Sequence, residues 1–99
     1  MTYLDALASL IRSCLPAHAA PPADCDDLFR IYAVLLRAKG EQVTDEDVHD
    51  AWSAWMQSID SGHKALVPYH DLDAAIQAFD APYAEAIRTA ARRVSQGLI

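Results

Sequence analysis

Apolar residues fall along this chain in four stripes at helical spacing, separated by proline, glycine and acidic stops. Leu4, Leu7, Leu10, Ile11, Cys14 and Leu15 recur three and four residues apart, the spacing of one helix face. Thr2 and Asp5 make a capping pair at the start. Pro16 ends the run, because the residue before a proline is pushed out of the helical region. This predicts a helix over 2–15. Leu28, Ile31, Tyr32, Leu35 and Leu36 form a second stripe over 26–39. Asp24, Asp26 and Asp27 lie at its positive end, and Arg37 and Lys39 at its negative end, as the helix dipole favours. Gly40 is the expected left-handed stop.

The third stripe is Val48, Ala51, Trp52, Trp55, Met56 and Ile59. It follows the amphipathic template along its whole length and predicts a helix over 44–59, with Thr44 and Asp47 as a capping box. Asp60-Ser61-Gly62 breaks it. In the last stripe Tyr83, Ile87, Ala90, Ala91 and Val94 face inward, Asp80 stands as the cap, Pro82 lies in the first turn and Gly97 is the stop. Between these runs, 15–23 is a Pro/Ala connector stiffened by Pro21-Pro22. Residues 65–69 are short, extended and apolar, either a small strand or a tethered loop. Residues 71–78 predict a short helical turn. The expected fold is all-α: a small single-domain bundle of four main helices over 1–99, with a short extended loop packed across it. Trp55, Leu35 and Ile87 are expected to be buried on facing helices.

Composition narrows the function. The formal net charge is −6, whereas a nucleic-acid binder needs a basic footprint to release counterions from phosphates. The chain has no basic run beyond Arg92-Arg93, so neither a nucleic acid nor an anionic membrane surface is an expected partner. No apolar stretch approaches the roughly 20 residues of a membrane span, and no signal sequence opens the chain. Cys14 and Cys25 are not in CxxC spacing. Cys14 falls on the first apolar stripe and is expected as a buried free thiol. These points favour a cytoplasmic address. Absence of Asn, with Arg outnumbering Lys six to two, points to a GC-rich bacterial or phage coding sequence.

Candidate chemistry concentrates in one region. His49 and Trp52 lie roughly 60° apart on a helical wheel, while Trp55 lies roughly 120° from His49. Trp52 therefore reads as a pocket wall and Trp55 as a core anchor, although both indoles can also fill the core with their N–H groups bonded to carbonyls. His49 can contact a ligand, or it can bond to the backbone of the loop over 62–68 and pin that loop to the helix. Arg88 can meet a phosphate or pair with Glu85 one turn earlier. Tyr69 and Tyr83 read as core-edge residues, with stacking on a ligand as the other option. His49, His63, His70 and Asp71 match no paired-ligand zinc signature, so no metal is expected. The chain has no Gly-rich phosphate loop, GxSxG or HExxH, so neither an enzyme nor a cofactor is expected.

From Val48 onward the order of residues resembles the ryanodine receptor repeat (RyR) domain. His49 and Trp52 match its His-x-x-Trp. His63, Leu66, Val67, Pro68 and Tyr69 match its His-Pro-x-Leu-Val-Pro-Tyr loop, with Lys64 where the family has Pro. Leu72 and Ala86-Ile87-Arg88 match the following turn and closing helix. Met56 stands where the family often has a base, and the segment between Trp and loop is shorter here. The RyR-like part covers 44–96, behind a two-helix part over 2–40 that resembles small actinobacterial and actinophage proteins. The resemblance implies capture of an adenine-nucleotide-like ligand between aromatic and basic side chains. The expected ligand-binding residues are then His49, Trp52, His63, Lys64, Tyr69 and Arg88, in a non-enzymatic sensor or sponge for a small nucleotide-derived molecule. The alternative is a small phage- or bacterium-encoded interaction module acting on a host protein, with a homodimer compatible with either.

Overall fold

Each of the four stripes folds as a helix, and local caps set the ends. The computed structural model describes residues 1–19, 21 and 24–97. The helices are α1 (Tyr3–Ser13), α2 (Asp26–Lys39), α3 (Asp45–Ile59), the short α4 (Ala74–Gln77) and α5 (Ala81–Ser95). Single 3-10 turns lie at Ala17–Ala19, Gly40–Gln42 and Tyr69–Asp71. Both capping boxes form: Thr2 with Asp5 ahead of α1, and Thr44 with Asp47 ahead of α3. Each satisfies two backbone N–H groups that the first helical turn leaves without partners.

Some local expectations are corrected. The described residues contain no strand, and 65–69 runs as irregular chain into the Tyr69–Asp71 turn. The helical turn expected over 71–78 is two pieces, because Leu72 and Asp73 are extended. Gly40 has a positive φ of 56° but a ψ of −126°. It therefore stops α2 outside the left-handed helical region and feeds the chain into the Gly40–Gln42 turn. Cys14 sits at the end of α1 and is only half-buried, whereas Cys25, at the start of α2, is the buried thiol. Of the Pro/Ala connector, Ala20, Pro22 and Ala23 lie outside the described residues, including half of the Pro-Pro pair.

The core joins all four main helices. Leu7 and Ile11 come from α1, Leu28, Phe29, Tyr32 and Leu36 from α2, Val48 from α3 and Ile87 from α5. Val43 adds to them from the α2–α3 connection. The buried face of α5 is otherwise alanine (Ala84, Ala86, Ala90 and Ala91), so α1, α2 and α3 pack directly against it. Phe29 meets Tyr32 edge-on at 5.5 Å between ring centres, and Tyr83 tilts against both. Full burial of one such side chain stabilises the fold by about 1.5–3 kcal/mol. Ile87 is buried as expected, but Leu35 and Trp55 are only partly buried.

The reason lies in α3, which is buried only at Val48 and His49. Beyond Ala51 its apolar stripe is covered only in part, with Trp52 and Trp55 against the edge of the core. Trp52, Trp55 and Met56 are half-buried, and Ile59 is exposed. Leu28 and Tyr32 of α2, Tyr83 of α5, the loop residues His63 and Ala65, and Ile76 of α4 stand around this part of α3 and cover it incompletely.

Candidate functional site

The incomplete cover leaves a cavity of about 350 Å³, open on one side. Five segments line it: Leu28 and Tyr32 from α2; His49, Trp52 and Trp55 from α3; His63 and Ala65 from the loop; Ile76 from α4; and Phe79, Asp80 and Tyr83 around the start of α5. Pockets that hold small organic ligands run from about 300 to 1,000 Å³, largely apolar with a few polar groups. This cavity fits the lower part of that range and has the same character.

His49 holds the site together. Its side chain is 4% exposed. Its Nε2 lies 2.7 Å from the Val67 carbonyl oxygen. A carbonyl only accepts, so Nε2 carries the proton and donates it. Ser53 Oγ lies 3.4 Å from the same nitrogen. This bond pins the loop to α3, the structural role open to His49 from the sequence. The other ring nitrogen, Nδ1, faces Asp80 at 3.8 Å. Trp52 stacks on the His49 ring with centres 5.6 Å apart, and His63 meets Trp52 edge-on at 5.1 Å. His63 Nδ1 accepts the Ala65 N–H at 3.0 Å, which fixes its ring.

Asp80 is the polar group that the sequence does not assign to the site. It precedes α5, where its side chain is expected to cap the helix, but it makes no capping hydrogen bond. The side chain, 14% exposed, lines the cavity instead. Burial pushes its carboxyl up to about 6; His49 opposes that rise and the nearby Asp45 adds to it. Burial likewise raises the phenols of Tyr32 and Tyr83. The Tyr83 hydroxyl donates to the Ala19 carbonyl at 3.2 Å.

The expected ligand residues divide. His49, Trp52 and His63 share the cavity. Tyr69 is not among the lining residues; it tilts against His49 at 6.2 Å, with its backbone carbonyl accepting from Gln77 Nε2. Lys64 is exposed and is not among the lining residues. Nor is Arg88, which donates to Glu85 and, through Nη1, to the Val43 carbonyl at 2.7 Å. Trp55, expected as a core anchor, is a cavity wall. Tyr83 gains a cavity face that the sequence offered only as an option. Leu28, Tyr32, Ile76 and Phe79 come from three further segments, and no local signal joins them to His49.

Phe79 and Ile76 are 67% and 38% exposed at the same cavity. Among the described residues, no group of three or more His, Cys, Asp or Glu side chains is arranged to hold a metal ion. No helix there is long and apolar enough to cross a membrane.

The sequence profile of one protein family, described as Domain of unknown function (DUF7701), matches residues 2–92. The chain belongs to that family. No curated protein and no solved structure matches it.

Proposed function

We propose that this DUF7701 member is a non-catalytic binding domain whose cavity takes the flat head group of a small molecule, such as the base of a nucleotide-derived signal. The observation that carries the reading is the cavity itself. Indole and phenol faces wall it, and a half-buried carboxylate with free acceptor positions lines it. A flat ring can lie against Trp52 or Trp55 and direct N–H groups at Asp80. The RyR-like order of His49, Trp52 and the loop over 63–69 supports the same class of ligand. A binding role is favoured over a catalytic one by what His49 does. Its Nε2 is engaged by the Val67 carbonyl, and none of the lining residues is a Ser, Thr, Cys or Lys nucleophile.

The arrangement revises how a nucleotide would sit. With Lys64 and Arg88 outside the lining, a phosphate stays at the mouth or in solvent, and the base supplies the affinity. A thermal-shift screen of nucleobases, nucleosides, nucleotides and cyclic nucleotides tests this, because a ligand that binds only the folded state raises the melting temperature. Calorimetric titration with the best hit should lose most of its heat in Trp52→Ala and little in Lys64→Ala. A Trp52→Ala variant that folds and binds like the parent would overturn the proposal. Exposed Phe79 and Ile76 at the cavity favour one second reading, in which an apolar side chain of a host protein occupies the same space.

A further inference from the structure

We propose that the cavity selects an organic cation, in which a flat amidinium, guanidinium or protonated amino-heterocycle donates its N–H groups to the Asp80 carboxylate. This inference rests on the small-molecule reading above and narrows it to a charge class.

Three observations converge. First, Asp80 carries a carboxylate in mostly apolar surroundings, and no described side chain donates a hydrogen bond to it. Among the described residues, the ionisable partner within 4 Å of it is His49 Nδ1, at 3.8 Å, beyond hydrogen-bond range. Burial that pushes the carboxyl up to about 6 still leaves it charged above that pH. Desolvated anionic groups of this kind are stabilised by an opposite charge that also supplies hydrogen bonds. Second, no Lys or Arg lines the cavity. Arg88, the nearest basic residue considered for the site, is held by Glu85 and the Val43 carbonyl. Apart from the His49 ring, which faces Asp80 at 3.8 Å without a hydrogen bond, the lining offers Asp80 no cation, and a cationic ligand supplies the closer partner. Third, the lining includes four Tyr and Trp side chains: Tyr32, Trp52, Trp55 and Tyr83. Aromatic rings attract cations to their faces through their quadrupoles, most strongly where water is excluded. Asp45 adds negative potential at Asp80, which disfavours an anion there and favours a cation.

A planar amidinium offers two parallel N–H groups to one carboxylate, the geometry that makes such pairs strong. A neutral amide of the same shape offers one good donor and presents its carbonyl oxygen to an anion. Benzamidine and benzamide are therefore a matched pair of probes: both are flat and of similar size, and they differ in charge. The experiment is isothermal titration of both into the parent protein and into Asp80→Asn at neutral pH. Asparagine remains a good residue at a helix start, and circular dichroism checks that the variant is folded.

Benzamidine should bind the parent at least about tenfold more tightly than benzamide, the scale of a hydrogen bond between charged groups. Asp80→Asn should abolish that preference while leaving benzamide binding in place. If the parent binds the two probes equally, the cation proposal is overturned and the small-molecule reading stands. If benzamidine is preferred equally by parent and Asp80→Asn, Asp80 is not the selecting group and the proposal is likewise overturned. If neither probe binds at millimolar concentration, the cation proposal is overturned, and the small-molecule reading is decided by its own nucleobase screen.

Discussion

The two ends of α3 carry the same apolar periodicity and meet different fates. At the first end, Val48 is 0% exposed and packs within a core built from α1, α2 and α5. At the other, Trp52, Trp55 and Met56 are half-covered, and Ile59 is 60% exposed. The stripe specifies a face that can be buried, but whether it is filled depends on what the rest of the chain brings to it. Here α5 brings alanines to the first end and allows close packing. The loop over 62–72 and the four-residue α4 bring too little to the second. Large aromatic side chains on a thinly covered face make walls rather than a core.

Truncation in the packed half should have the largest effect. Ile87→Ala, at a site with no exposed surface, should destabilise the fold by about 2–5 kcal/mol, read by denaturant titration. A loss much below that range would mean that the alanine face of α5 collapses to fill the gap, and that the two halves differ less than they look.

The next effect belongs to the cavity half and has the opposite sign. The Asp80 carboxyl is raised to about 6 in the folded state by burial, with His49 opposing and Asp45 reinforcing. Tyr32 and Tyr83 also face this region. As pH rises from about 4 through about 6, the folded state holds a proton that the unfolded state has already released. Asp80 therefore subtracts stability over that window, by up to about 2–3 kcal/mol when complete. Asp80→Asn should be more stable than the parent at about pH 7.5, and the gap should close near pH 4. The difference between the two proteins isolates this group. Asp5, held down to about 2 mainly by its hydrogen bond from Arg30, and Glu85, held down mainly by Arg88, act in the other direction and are common to both. A gap that persists unchanged at low pH would remove Asp80 from the cavity's energetics.

A third prediction concerns the bond that joins the halves. His49→Phe keeps the ring volume and removes the donor to Val67. It should cost about 0.5–1.5 kcal/mol, the net worth of an ordinary hydrogen bond, since Val67 itself is exposed. Amide exchange at Leu66 and Leu72 should quicken while α2 stays protected. Equal protection in the variant would show that the loop holds its place without His49. The smallest effect is expected at the cavity rim. Phe79→Ala should change stability by no more than about 0.5 kcal/mol, as exposed sites do, yet weaken any ligand that fills the cavity.

What was legible in the sequence follows the range of the interactions. Thr2 with Asp5 and Thr44 with Asp47 act across three residues, so the starts of α1 and α3 are readable and α2 matches its expected span. His49, Trp52 and His63 are legible as neighbours because a helix turn and one loop connect them. Tyr32, Trp55 and Asp80 are not, because the cavity gathers them from separate elements and only tertiary packing decides which faces meet. Asp80 is an instructive case. An acid two residues before a proline reads locally as a helix cap, and its side chain makes no such bond. Arg88 shows both ranges at once: its pair with Glu85 is local and readable, while its bond to Val43, forty-five residues away, is not.

Both tryptophans of the chain line the same cavity. Indole emission from this protein therefore comes from the cavity walls alone. His49 stacks on one of the two, and His63 meets it edge-on, so anything that enters between the walls displaces solvent from a chromophore already in contact with imidazole. The unlabelled chain is in this sense its own spectroscopic probe. A shift or quench in its fluorescence registers occupancy directly, while circular dichroism follows the helices of the whole fold.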